Sequence, residues 1–489
     1  MAKTSCPTWA DGASIQRRWI AGGIELDAVV EALAATPDAA LLESSAAGQW
    51  GRFSVVAAWP AEVLELRGDV LTSRLDGVVA RGAAEVCERL AAALDWRAGE
   101  AQAPLALPYG PGWIGYVGYE CGSLLERLPS RPGGALPDLR LAFYDAVAVF
   151  DAVKRRWQLA WLQRPGYAPP ASAARLEALL AGPVGDAVGS MRAGASPVVW
   201  PQPAWQSNFT PEQYLRQVRR CLDYIAAGDI YQVNLAQRLT IPAVAPGRLY
   251  RCLRRRNPSS HAALMTWRDA DSQEMSVISA SPELLLRVRD GQAMSRPIKG
   301  TRRRSGDAAA DERARRQLLA SEKDRAELAM IIDLVRNDLG RVCAPGSVAV
   351  AGAWELEAHP TVYHTVASVC GRLSPGVSPW AALAALFPGG SITGAPKIRA
   401  MEIIAELEDV PRGVYTGSIG YVGPGGLCEW NIAIRTIQQH GGLAHLHVGG
   451  GIVADSDPQA EYDETLDKAR GLLESAAMAT NASPGPIGR

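Results

Sequence analysis

The stretch VYTGSIGYVGPGGLCEWNIAIRTIQQHGGLAHLHV, Val414–Val448, decides the fold. It holds three strand-like runs, Val414–Val422, Glu429–Gln438 and Leu443–Val448, divided by glycine-rich turns. β-Branched and aromatic residues punctuated by glycine in this way predict strands joined by turns. A helical pattern follows at Pro458–Met478, opened by Asp457-Pro458, a cap followed by proline at the first helical position. Toward the N-terminus, Tyr231–Thr240 reads as a strand, Ser276–Ala280 and Glu283–Arg289 as a strand pair, and Asp307–Leu339 as one or two charged helices. Thr210–Ala227 is an amphipathic helix, opened by Thr-Pro-Glu and ended by Gly228, with Leu215, Val218, Leu222 and Ile225 on one face. Further back, Ala173–Leu180 looks like a short helix and Leu139–Phe150 like one strand with its edges. Glycine, proline and serine interrupt every period between Gly182 and Gln206. That divides the sequence into an N-terminal region 1–182, a linker 183–206, a catalytic region 207–480 and a frayed tail 481–489.

The 489 residues carry 50 Lys+Arg against 51 Asp+Glu and are 48% hydrophobic, the balance of a globular enzyme. A net charge of −1 supplies no global field for polyanions or anionic lipid, which argues against nucleic-acid and membrane partners. Eight scattered cysteines without a C-x-x-C spacing indicate neither a zinc cage nor a disulfide framework, so reduced cytoplasm is expected. No signal peptide or membrane span is expected either. Within the neutral total, the basic residues are almost all arginine; the lysines are Lys3, Lys154, Lys299, Lys323, Lys397 and Lys468. Each remaining lysine invites the question of whether arginine could do the same job.

Lys299 lies in SRPIKGT, Ser295–Thr301, where Pro297 and Gly300 place it at the mouth of a strand. A neutral lysine there is a nucleophile, favoured by burial or by the nearby Arg296 and Arg302, and arginine cannot replace it. The alternative is a side chain that snorkels to water or pairs with an acid. Asp324 and Glu327 share one helix face, and Glu461 and Glu464 share another. Two such pairs suit Mg²⁺, which takes one or two carboxylates plus waters and substrate oxygens, although exposed helices commonly carry acids without binding metal. PGGSITGAPK, Pro388–Lys397, opens a helix whose free N–H groups form an anion site without the Walker A pattern. HVGGGIVADSD, His447–Asp457, reads as a second glycine turn, either a close approach for a ligand or a plain tight turn. His364 on its apolar run is a satisfied core residue or a catalyst, and His445 with His447 lacks the further ligands of a zinc site.

Taken in order, GDIYQVNLAQR (228–238), SASPELLLR (279–287), RPIKGT, EKDRAELAMIIDLVRNDLGRV (322–342), YHTVASVCG (363–371), PGGSITGAPKIRAMEII, RGVYTGSIGY (412–421), NIAIRT (431–436) and GGGIVADSDPQAEYDET (449–465) resemble the successive signatures of the chorismate-utilising enzymes. LLESS (41–45), GRFSVV (51–56) and GPGWIGYVGYE (110–120) extend the likeness into the first half. The resemblance implies an α+β fold, with β-sheets packed face to face as a sandwich core and helices outside. It also assigns Mg²⁺ to Glu327 and Glu464, with Glu461 and Asp324 as outer or water-mediated partners. Lys299 becomes the nucleophile, Glu283 the general acid or base and His364 a positioning partner near the ring. Gly300, Thr301, Thr393, Gly394, Tyr415, Arg435, Gly449, Gly450, Gly451 and Lys468 match substrate-binding positions, and Lys397 matches a residue that orients the glycine loop.

Within the family, isochorismate and salicylate synthases place a water-activating lysine where this chain has Gln232, and anthranilate synthases read PIAGT where it has Lys299 in PIKGT. The combination found here resembles aminodeoxychorismate synthase component I. That implies conversion of chorismate and ammonia into 4-amino-4-deoxychorismate, for 4-aminobenzoate and folate synthesis, through a lysine adduct. A separate glutamine amidotransferase, component II, would supply the ammonia within a heterodimer. Anthranilate synthase component I is the alternative within the family; a non-catalytic chorismate-binding or glutaminase-regulating subunit is the alternative outside catalysis. LLES is similar to part of the tryptophan pocket of anthranilate synthases, but the partner motif NPSPYM is replaced by NPSSHAALM, Asn257–Met265.

Overall fold

A computed structural model describes residues 12–21, 24–45, 51–100, 107–129, 133–181, 205–359 and 362–480. Most of the expected linker and the whole of the tail lie outside them. Two large sheets dominate. In the first, neighbouring strands run Gln206–Ser207, Gln232–Pro242, Leu443–Ile452, Thr436–His440, Glu274–Ser281, His261–Arg268, Ala39–Glu43, Phe53–Ala57, Ala146–Asp151, Arg156–Gln163, Ser14–Trp19 and Gly99–Glu100. In the second they run Ile298–Arg303, Val362–Arg372, Gln292–Arg296, Leu284–Arg289, Cys428–Asn431, Ser418–Val422, Gly112–Val117, Leu139–Tyr144, Glu62–Arg67, Val70–Ser73 and Gly77–Arg81. Each sheet therefore draws strands from both sides of the linker: Ala39–Glu43 pairs with His261–Arg268, and Gly112–Val117 with Ser418–Val422.

Strand alternation builds the layers. Ala40, Val55, Ala57, Val147 and Val149 point from the first sheet into a core shared with Leu64, Ile114, Tyr116, Leu141 and Tyr421 of the second. The intervening residues Leu41, Val56, Ala146 and Ala148 point the other way, into a layer closed by Val29, Leu253, Leu472 and Ala476 of three helices, Leu26–Ala34, Pro246–Arg256 and Pro458–Thr480. Each fully buried leucine contributes about 1.5–3 kcal/mol from removal of its surface from water. The result is the expected α+β sandwich with helices outside. The helix Pro211–Ala226 begins as its sequence indicates, with Thr210 and Gln213 bonding reciprocally in a capping box. No helix among the described residues is long and apolar enough to cross a membrane.

Three expectations change where the chain crosses between sheets. Leu139–Phe150 is two strands, Leu139–Tyr144 in the second sheet and Ala146–Asp151 in the first, turned at Asp145. Both strands are wholly buried, so the run shows no alternation that could reveal the break. Glu274–Ser281 and Leu284–Arg289 do not pair; the chain passes from first sheet to second at Pro282-Glu283. Glu429–Gln438 likewise divides into Cys428–Asn431 and Thr436–His440, and Arg435 takes a left-handed φ of 51° at the crossing. The last two crossings lie side by side, joined by Ile432 N–H to the Glu283 carbonyl (3.0 Å) and Ala280 N–H to the Arg435 carbonyl (3.0 Å). This is where the two sheets part.

Gly449–Gly451 also differ from expectation: they form part of the strand Leu443–Ile452 and not a turn. Their lack of side chains has a packing cause. A Cβ at Gly449 would lie 2.9 Å from Asn234 Oδ1, and one at Gly451 2.5 Å from Gln232 Nε2.

Candidate active site

A cavity of about 1090 Å³ opens where the sheets part. Lys299 enters it from the strand Ile298–Arg303, whose pairing with Val362–Arg372 shifts register between Lys299 and Thr301. Gly300, at φ 73°, occupies the irregularity. Lys299 Nζ stands 3.3 Å from Glu327 Oε2. The guanidinium groups expected near the lysine are committed elsewhere: Arg296 to Glu357 at 2.6 Å and Arg302 to Asp324 at 3.0 Å. The charge beside Lys299 is thus an acid, as the ion-pair alternative had it. Thr301 Oγ1 and His364 Nδ1 lie 2.8 Å apart, and both residues line the cavity. Burial, reinforced by Arg435 and His359, lowers the His364 pKa to about 3, so its ring is neutral.

Glu283 sits at its crossing with only 4% of its surface exposed. Its Oε1 accepts from Ser391 Oγ at 2.8 Å and from Ile298 N–H at 3.5 Å. Burial raises the Glu283 pKa to about 7, against the opposing pull of the Ser391 bond and the Lys299 charge. A proton is therefore available from it at neutral pH. Arg435, on the neighbouring crossing, lines the same cavity and has no carboxylate partner among the described residues; burial pushes its guanidinium pKa down. A desolvated cation without a counter-ion calls for an anionic ligand. Tyr415, whose phenol burial raises to about 12, stacks on His447 with ring centroids 5.3 Å apart and 13° between planes.

The four acids named from the sequence all line the same cavity. Asp324 and Glu327 stand on the helix Glu322–Gly340, and Glu461 and Glu464 on Pro458–Thr480; Lys323 and Lys468 line it too. Glu461 accepts from Ser456 Oγ at 2.6 Å, and Glu464 pairs with Lys468 at 2.7 Å, which in turn donates to the Gly449 carbonyl at 2.8 Å. Burial, with help from Glu464, raises Glu461; at Glu464 the Lys468 ion pair outweighs burial and lowers the pKa. A Cβ at Gly450 would stand 3.0 Å from Glu461 Oε2 and 3.8 Å from Glu464 Oε1, so the bare backbone there makes a cradle for both carboxylates. Among the described residues no three acids, histidines or cysteines close around one point. An oxygen donor set of this kind fits a hard divalent cation that completes its shell with water and substrate oxygens.

Behind the cavity wall, Arg412 is fully buried and tied to Glu408 by bonds of 2.6 and 2.8 Å. It also donates to the Asn234 carbonyl (2.7 Å), the Ile392 carbonyl (3.2 Å) and Thr416 Oγ1 (3.2 Å), joining three segments around the site. Arg412→Met should destabilise the protein by about 3–5 kcal/mol in urea unfolding, because it strands a buried carboxylate; a loss below 1 kcal/mol would remove this account.

Of the expected residues, Thr393, Gly394 and Gly450 stand outside the cavity lining. Thr393 Oγ1 donates to the Gly389 carbonyl, and Gly394 pairs with Val233. The helix Lys397–Leu407 has no side-chain cap, and Lys397 reaches Asp338 at 2.7 Å. Asn234, Lys323, Ser391 and His447 line the cavity without having been singled out as its ligands. A second cavity of about 320 Å³ includes Glu43, Ser44 and His261 from the LLESS and NPSSHAALM motifs. In it Glu429 meets Arg287 at 2.8 Å and Tyr109 at 3.1 Å.

Known proteins resemble the chain over most of its length. Anthranilate synthase component 1 of Thermus thermophilus is 41% identical over 450 residues, covering 91% of this chain and 93% of that one. Aminodeoxychorismate synthase component 1 of Klebsiella aerogenes is 38% identical over 444 residues, covering 90% and 94%. The crystal structure of anthranilate synthase component I from Streptococcus pneumoniae TIGR4 superposes with a TM-score of 0.72 at 33% identity, covering 86% of this chain and 92% of that one. The chorismate binding enzyme family model matches residues 38–474, taking in every residue that lines the large cavity and both sheets apart from the strand Ser14–Trp19. The chain therefore belongs to the chorismate binding enzyme family and uses chorismate.

Proposed function

We propose that the chain is component I of an aminodeoxychorismate synthase. The observation that carries this reading is Lys299 inside the cavity, near Glu283, at the position the resemblance fills with alanine in anthranilate synthases; Arg435 lines the same cavity. Arg435 and the Tyr415 hydroxyl hold the enolpyruvyl carboxylate, a pairing that Arg can make bidentate. Lys299, its proton given up, attacks C2 of chorismate while Glu283 protonates the C4 hydroxyl, which leaves as water. Ammonia then bonds to C4 and expels the lysine from C2, and the ionised Glu283 takes the surplus proton from the new nitrogen, leaving 4-amino-4-deoxychorismate. One chorismate and one ammonia become one product and one water, and Lys299 is restored. His364, neutral and bonded to Thr301, positions the ring without adding charge.

Glu327 and Glu464 would hold Mg²⁺, with Glu461 and Asp324 supporting them; when bound, the ion bears part of the charge of the ring carboxylate. Ammonia comes from a glutamine amidotransferase subunit in a heterodimer working in the cytoplasm. Anthranilate synthase component I is the second reading, favoured by the 41% relative over the 38% one. Incubation with chorismate, ammonium and Mg²⁺ separates the two. We expect 4-amino-4-deoxychorismate, formed only with Mg²⁺ present; anthranilate plus pyruvate, or isochorismate, as the main product would overturn the proposal.

A further inference from the structure

We infer that His447 is a positioning residue for chorismate binding, acting through Tyr415 as a flat plate. The inference rests on the reading above in one respect, that Tyr415 meets the substrate. The Tyr415 hydroxyl finds no hydrogen-bond partner among the described residues, although the ring lines the cavity. Its orientation is therefore set by what lies against its ring. One such group is the imidazole of His447, nearly parallel to it at 13°; the other is the Arg412 guanidinium, 5.8 Å from the ring centroid.

The two rings come from different parts of the fold. Tyr415 rides on a tight loop between the left-handed residues Gly413 and Thr416. His447 belongs to the strand Leu443–Ile452, held opposite Arg238 in the strand Gln232–Pro242. By strand alternation His447 shares a face with Gly449 and Gly451, the bare backbone of the cavity wall. The same strand face thus supplies the wall and fixes the angle of the phenol beside it. Burial, aided by the Arg238 and Arg412 charges, holds the imidazole pKa well below its ordinary value. The plate adds no positive charge, and Arg435 remains the cation for the substrate carboxylate.

The test reads chorismate affinity by titration without ammonia, so it does not depend on which product forms. His447→Ala should weaken binding about five- to tenfold, the scale of one lost ring stack. His447→Phe should recover most of that loss, whereas His447→Leu, which fills space without a flat face, should bind as poorly as the alanine variant. In a Tyr415→Phe background, His447→Ala should cost less than twofold, because the hydroxyl it aims is gone. Equal affinity of the leucine and phenylalanine variants, unchanged affinity of the alanine variant, or full additivity with Tyr415→Phe would each overturn the inference. A wild-type protein that binds chorismate but makes anthranilate would sink the proposed function and leave this test standing.

Discussion

Lys299→Ala is expected to reduce formation of 4-amino-4-deoxychorismate by about 10³-fold or more, the scale on which removal of a covalent nucleophile is felt. Two roles are open to a lysine 3.3 Å from Glu327. As a counter-ion it only holds a carboxylate in place; as a nucleophile it forms a bond. Lys299→Arg separates them, because arginine keeps the ion pair and cannot present a neutral amine. The arginine variant should therefore fold like the parent and be as slow as the alanine variant. Mass spectrometry of the parent quenched with chorismate and Mg²⁺, before ammonia is added, should find the substrate on Lys299. Recovery of activity to within tenfold by arginine would reduce Lys299 to its ion pair, and so would the lack of any adduct.

Glu283→Gln carries the second large effect. Glutamine keeps the shape and can still accept from Ser391, but it cannot deliver a proton to the leaving hydroxyl, so kcat should fall by about 10²–10⁴-fold. The parent's acid-dependent step should decline as pH rises through about 7, where the buried carboxyl ionises. Stability runs with the opposite sense for the variant. Between the ordinary value of 4.5 and about 7 the folded protein holds a proton that the unfolded chain has lost, so the parent loses stability as pH rises across that window. Above it the burial of an ionised Glu283 costs on the order of 3 kcal/mol. Glu283→Gln should thus be more stable than the parent in urea at pH 8, with the gap closing near pH 4.5. A gap of the same size at both pH values, or faster turnover, would refute the assignment.

Local signals were legible in the sequence and crossings were not. The cap at Thr210 and the start of the helix Pro211–Ala226 depend on neighbours three residues apart, so the sequence contains the whole argument. The turn at Asp145 depends on which sheet each flanking strand joins, and both flanks are equally apolar. The raised Glu283 has the same origin: it is buried at a crossing between the two sheets, which sequence spacing does not encode. Scarcity of lysine was the better guide. Lys299, Lys323 and Lys468 line the cavity, and Lys397 braces Asp338 beside it, yet only the first carried a chemical argument when read along the chain. Lys323 could have been found by asking the same question of every lysine. The glycine run at Gly449–Gly451 misled because glycine in a strand and glycine in a turn look alike until Asn234 and Gln232 stand opposite.

The sharing of both sheets between the two halves sets a timetable for synthesis. Ala39–Glu43 finds Phe53–Ala57 almost at once, but its other edge waits for His261–Arg268, about 220 residues later. At roughly 5–20 residues per second that interval lasts on the order of 10–40 s, with an apolar edge open to other chains. Gly112–Val117 waits longer still for Ser418–Val422. The strand Leu443–Ile452, which supplies part of the cavity wall, is made about 210 residues after its neighbour Gln232–Pro242. The cavity cannot close until strands and helices from both sheets, made far apart in time, have all been brought together.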